Sequence, residues 1–149
     1  MSELRVFRHG LRSLADRLLV ARVFAVAAAV PFLVRLGPSR LAWLMERVAV
    51  ARVSDPAAAE RVRDALDRVI RSGRPFVRPG CLTRGLTLYL FLRRAGIDVA
   101  LAFGIGRPDT RFAGHCGLVR DGEPFMERRD PRGVFTEMYS VPRRTGAVP

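Results

Sequence analysis

The stretch FAGHCGLVRDGEPFME, residues Phe112 to Glu127, decides the fold. Asp121-Gly122 is a hairpin signal, because a tight turn between strands needs residues that accept positive φ. It divides the stretch into two short strands, Phe112 to Val119 and Glu123 to Glu127. Toward the N-terminus, Asp98 to Gly106 is a short apolar run that suits a buried strand. Toward the C-terminus, Phe135 to Val141 reads as a further strand before a Pro/Arg-rich tail.

The sequence ahead of these strands is helical. Leu11, Leu14, Leu18 and Leu19 recur at helical spacing. Gly37-Pro38-Ser39 is a break, with Ser39 as the cap of a helix running through Met45 toward Val50. Ser54-Asp55-Pro56 starts another helix, with Pro in the first turn where its missing N–H costs nothing. Val62, Leu66, Val69 and Ile70 form its apolar face, and Ser72-Gly73 ends it. After a loop over Arg74 to Gly80, a helix runs from Cys81 to about Arg94 and stops at Gly96. It is apolar nearly all round, which places it centrally. Helices followed by an antiparallel sheet predict an α+β domain spanning 1–149. Residues 1–75 form its helical part, 76–141 the part that carries chemistry, and 142–149 a tail.

Composition narrows the function. A chain of 149 residues, 49% hydrophobic and 27% charged, can bury a core. The formal charge of +12 would point to nucleic acid, but all 26 basic residues are Arg, and Lys, Asn and Gln are absent. That bias marks a GC-rich coding sequence, and no docking motif accompanies the charge, so no nucleic-acid partner is expected. Two cysteines do not make a disulfide framework. The first residues follow no secretory pattern, so a reducing cytoplasm is expected. Val23 to Val34, between Arg22 and Arg35 and containing Pro31, is shorter than the ~20 residues of a membrane span. It is expected as a buried helix, with a weak peripheral membrane contact as the alternative.

Few residues can carry chemistry: Cys81, Cys116, His9 and His115, with acidic partners. A thiol in the first turn of a helix sees the positive end of the helix dipole, which favours the thiolate. Gly80, Thr83 and Gly85 around Cys81 would leave room for a peptide backbone, and the Cys81 amide points out of the helix start toward an oxyanion. His115 on a strand is the candidate base, and it needs an acidic group to fix its tautomer, since the chain has no Asn. Hairpin register selects that group. A three-residue loop, Arg120-Asp121-Gly122, pairs Val119 with Glu123 and sets His115 opposite Glu127. A two-residue loop pairs His115 with Arg128 instead and turns Glu127 away. Asp130 is the fallback orienter, and Asp121 a turn residue. Cys116, next to His115 on the strand, should face the other side and pack in the core. No zinc site follows, because neighbouring strand residues cannot share one metal and no C-x-x-C pattern exists. His9, among arginines, is expected in solvent.

These motifs resemble a known family. Cys81-Leu82-Thr83-Arg84, Leu90-Phe91-Leu92-Arg93-Arg94-Ala95-Gly96-Ile97, Gly104-Ile105-Gly106, Phe112-Ala113-Gly114-His115 and Asp121-Gly122-Glu123-Pro124 resemble the lasso peptide biosynthesis B2 proteins, which are transglutaminase-like cysteine peptidases. The likeness covers about Cys81 to Val141 well. It implies a transglutaminase-like, papain-like core and a stand-alone bacterial peptidase that removes the leader from a ribosomally made lasso precursor. It implies three partners: the precursor peptide, a leader-recognition B1 protein and an asparagine-synthetase-like cyclase. The family's Cys-His-Asp triad maps to Cys81, His115 and Glu127, with Glu for the usual Asp. The family's His-Ala-Trp is His115-Cys116-Gly117 here. ATP use is associated with the family, but no phosphate-binding loop is visible, and no cofactor is expected. Two other functions carry the same residues: acyl transfer to an amine through the same thioester, and a non-catalytic membrane-peripheral or peptide-binding adaptor.

Overall fold

The computed structural model describes residues 14–142. His9, Leu11 and the tail after Pro142 lie outside them. Four helices precede four strands: α1 Leu14–Val34, α2 Pro38–Glu46, α3 Pro56–Ser72, α4 Cys81–Arg94, β1 Ala100–Gly106, β2 Ala113–Arg120, β3 Glu123–Phe125 and β4 Phe135–Val141. The fold is α+β, with one four-stranded antiparallel sheet in the order β3-β2-β1-β4.

Local chemistry sets the helix ends. Asp55 caps α3 by accepting a hydrogen bond from the Ala58 amide at 3.2 Å. Such a cap is worth ~1 kcal/mol. α2 starts one residue before the expected Ser39 cap: Gly37 is its N-cap, Pro38 takes the first turn, and no side chain caps it. A prolyl nitrogen needs no cap, which is why Pro38 rather than Ser39 opens the helix. α4 ends at Arg94, and Gly96 follows at φ +76, the left-handed conformation that closes helices.

α4 is the central element. It packs on α1 and α3 on one side and on β1 and β2 on the other. Leu86, Leu88, Tyr89 and Leu92 are buried, and each such side chain contributes ~1.5–3 kcal/mol. The Tyr89 hydroxyl donates to the Met45 carbonyl at 2.9 Å, which ties α4 to α2. Arg93 is buried and donates to the Val48 and Val99 carbonyls and to Asp98, so its charge is fully partnered. α4 comes close to the sheet at Gly85, where a Cβ would stand 2.9 Å from Cys116 Sγ and 3.2 Å from Leu101 Cδ1. Gly85 was expected to leave room for a substrate backbone. It is buried, and the space a side chain would need there is taken by β1 and β2, while Gly85 also lines the cleft that Cys81 borders.

Two further expectations change. α1 is longer than the run from Val23 to Val34 and is mostly not buried; of its 21 residues only Val23, Ala27 and Val30 are. The hairpin turn has two residues, not three. Arg120 pairs with Glu123, Val119 with Pro124 and Leu118 with Phe125. Asp121 and Gly122 take φ 51° and 88°, the pair of positive values that a two-residue turn matched to strand twist requires.

Candidate active site

Cys81 is the first residue of α4, is exposed, and is a free thiol. Its place follows from Gly80, which has no side chain to cap the helix and so leaves the start of α4 open. The amides of a first helical turn lack intrahelical acceptors, so their N–H groups face out beside the thiol. Cys116 is the other free thiol and is buried. Its Sγ lies against α4 at Gly85, as strand alternation predicted. Burial first, then the neighbouring Cys81 and Glu127, pushes its pKa well above the ordinary thiol range, so it remains neutral.

Alternation also fixes His115. Cys116 and Leu118 face α4, so His115 and Gly117 belong to the opposite face of β2. There the His115 ring stacks on Phe135 of β4, with centroids 4.9 Å apart. Glu127 meets it: His115 Nε2 and Glu127 Oε2 are 3.6 Å apart, both side chains about four-fifths buried. That is too long for a hydrogen bond, and the buried Nε2 has no hydrogen-bond partner. It is an ion-pair distance once the imidazole is protonated. The other carboxylate oxygen, Oε1, accepts from the Leu118 amide at 3.2 Å.

The two-residue turn should have turned Glu127 away from His115. It does not, because the ladder ends before Glu127 is reached. β3 stops at Phe125, and Met126 takes φ +58, a left-handed conformation rare for such a residue. One such residue breaks the alternation and folds Glu127 back over β2. The expected neighbours are therefore brought together, but by a backbone reversal at Met126 and not by hairpin register. The fallback, Asp130, is exposed and held by Arg132 through contacts of 2.6 and 3.0 Å, which lower its pKa to about 2.

Gly117 completes this arrangement. A Cβ there would stand 2.5 Å from Glu127 Oε1 and 3.0 Å from His115 Nε2. No side chain at position 117 is compatible with the observed carboxylate. The sequence carried a signal for it, since Gly117 lies two residues from His115 on the same strand face. Met126 and Phe135 carried none.

Cys81 and His115 line one cleft of about 470 Å3, with Arg84, Cys116, Glu127 and Arg128 among its walls. β3 pairs only with the end of β2, and residues of α4, β2 and the segment 127–131 line this cleft together. Among the described residues no hydrogen bond joins the thiol to the imidazole. A second cleft, about 310 Å3, lies over the outer sheet face and is lined by His115, Gly117, Glu127 and Glu137. It contains no thiol, so the first cleft is the candidate site, and the His115–Glu127 pair sits where the two meet. Asp67 of α3 holds Arg84 at 2.5 Å and Arg128 at 3.6 Å, fixing two cationic side chains on the Cys81 side. Among the described residues no cluster of His, Cys, Asp or Glu could hold a metal ion.

A thiol at an open helix start and a His–acid pair on the sheet packed against that helix are the residue types that thiol-based acyl chemistry uses. The chain belongs to the transglutaminase-like superfamily, whose family model matches residues 19–140. That superfamily includes cysteine peptidases and transglutaminases. Comparison with curated proteins and with solved structures finds no match.

Proposed function

We propose that the protein is a cysteine endopeptidase that removes the leader from a ribosomally made lasso peptide precursor. The observation that carries the chemistry is a free, exposed thiol at the start of α4 sharing a cleft with His115, whose Nε2 faces Glu127. The Cys81 thiol loses its proton to His115, and its sulfur attacks the scissile carbonyl. The tetrahedral oxyanion is met by the Cys81 amide at the helix start. Collapse breaks the C–N bond, His115 returns the proton to the leaving amine, and an acyl-thioester remains on Cys81. Water, deprotonated by His115, then hydrolyses it. Glu127 orients the imidazole and stabilises its cation. The thiol–imidazole hydrogen bond forms when substrate fills the cleft, since such contacts are often loose in a free enzyme.

The substrate class rests on the motif resemblance, and with it the partners: a leader-recognition protein that presents the precursor and a cyclase that takes the core peptide. Arg84, Arg128 and Arg129 on the cleft suit an acidic peptide. Acyl transfer to an amine is the second reading, since the same thioester serves both. The test is incubation of a precursor with the protein and its presenting partner, read by mass spectrometry. Two fragments whose masses sum to the precursor plus water support the peptidase. A product carrying an added amine supports transfer, and an intact precursor contradicts both.

A further inference from the structure

α1 turns its apolar side outward. Leu14, Leu18 and Phe32 are 73%, 49% and 65% exposed, and Ala21 and Ala25 between them are exposed as well. Spacings of three, four and seven put these residues in one stripe along the helix. The other side, Val23, Ala27 and Val30, is buried and packs on α3 and α4. With 21 residues and a mean hydropathy of 2.0 over an 18-residue window, α1 is long and apolar enough to cross a membrane. Crossing would pull Val23, Ala27 and Val30 out of the core. A helix that lies on a membrane keeps both sides satisfied.

Charge selects the occupant. Arg17 and Arg22 are exposed and flank the stripe on either side at 100° per residue. Arg35 stands beyond the C-terminal end of α1, its guanidinium 5.4 Å from the Phe32 ring. There Phe76 is 70% exposed and shares a groove with Phe32, Arg35 and Arg78. An apolar stripe bordered by arginines complements a layer with apolar chains below and anionic phosphates at its surface. We infer that α1 seats the protein on an anionic membrane surface, in the plane of the bilayer, with the globule above it. This is independent of the proposed peptidase function.

The test is co-sedimentation with vesicles of phosphatidylcholine alone or mixed with phosphatidylglycerol. A protein of charge +12 would bind anionic vesicles by charge alone, so the decisive step is done in salt that shortens the Debye length to about 3 Å. The expected result is binding to the mixed vesicles that persists in that salt. Leu18→Ser/Phe32→Ser, which leaves the charge unchanged, should lower it at least about tenfold while far-ultraviolet circular dichroism stays the same. In a Trp43→Phe background, Leu18→Trp should shift its emission to the blue when the mixed vesicles are added. Parent-like sedimentation of the double Ser variant, an unshifted emission, or a solution dimer that hides residue 18 would each overturn the inference.

Discussion

The Glu127 carboxylate occupies the space that any side chain at position 117 would need. A Cβ on Gly117 would lie 2.5 Å from Oε1, and the same carboxylate reaches to 3.6 Å from His115 Nε2. A glycine at 117 and a long acid at 127 are thus two halves of one fit. Gly117→Ala is expected to displace the carboxylate and to lower kcat by about ten- to a hundredfold, a loss of orientation of ~1–3 kcal/mol in the barrier. Gly117→Ala/Glu127→Asp, one methylene shorter, should recover part of it. Steady-state kinetics of the three variants check this. An unchanged kcat in Gly117→Ala would mean that Glu127 does not act through His115.

The left-handed residue at 126 is the reason Glu127 faces His115. A β-branched side chain is poorly tolerated at φ +58, whereas Asn is tolerated. Met126→Ile is expected to lose most activity and Met126→Asn to keep more of it. Comparable folding of the two, followed by circular dichroism, separates a misdirected Glu127 from a lost core contact.

Gly85 governs how closely α4 approaches the sheet. Gly85→Ala should destabilise the fold by ~1–3 kcal/mol, the usual cost of overpacking, because its methyl would meet Cys116 Sγ at 2.9 Å. Cys116→Ala removes that sulfur and should offset part of the loss in the double variant, read as a coupling energy from chemical denaturation. Additive effects would contradict the contact.

Burial separates the two thiols, Cys116 being buried and Cys81 exposed. Burial holds Cys116 neutral well above its ordinary pKa of 9.0. Below pH 9 the group is protonated in folded and unfolded chains alike and contributes no pH dependence. As pH rises above 9 the unfolded chain ionises it and the folded chain does not, so stability falls. Tyr89, whose pKa is raised by burial from 10.0, adds to the same fall at higher pH. Melting temperature should therefore decline above pH 9, and less steeply in Cys116→Ala. In the native protein iodoacetamide should label Cys81 long before Cys116.

Much of this was legible in the residues. Asp55-Pro56, Gly96 and Asp121-Gly122 mark their elements because capping and turn chemistry are local, and β4 runs from Phe135 to Val141 as expected. Alternation alone placed Cys116 in the core. What escaped depends on contacts between distant segments. Nothing near Met126 announces a left-handed residue, so the hairpin register was expected to deliver Glu127 and does not. Gly85 looks like open space until β2 is laid against it. α1 is apolar on every side, so its periodicity does not tell which side the core takes.

Cleavage of the precursor by Cys81→Ala and Cys116→Ala, compared with the parent in the presence of the presenting protein, tests the central claim most directly. Loss of cleavage in Cys81→Ala, with Cys116→Ala retaining it, is the predicted result. Full activity in Cys81→Ala together with its loss in Cys116→Ala would contradict the assignment of the nucleophile to the start of α4.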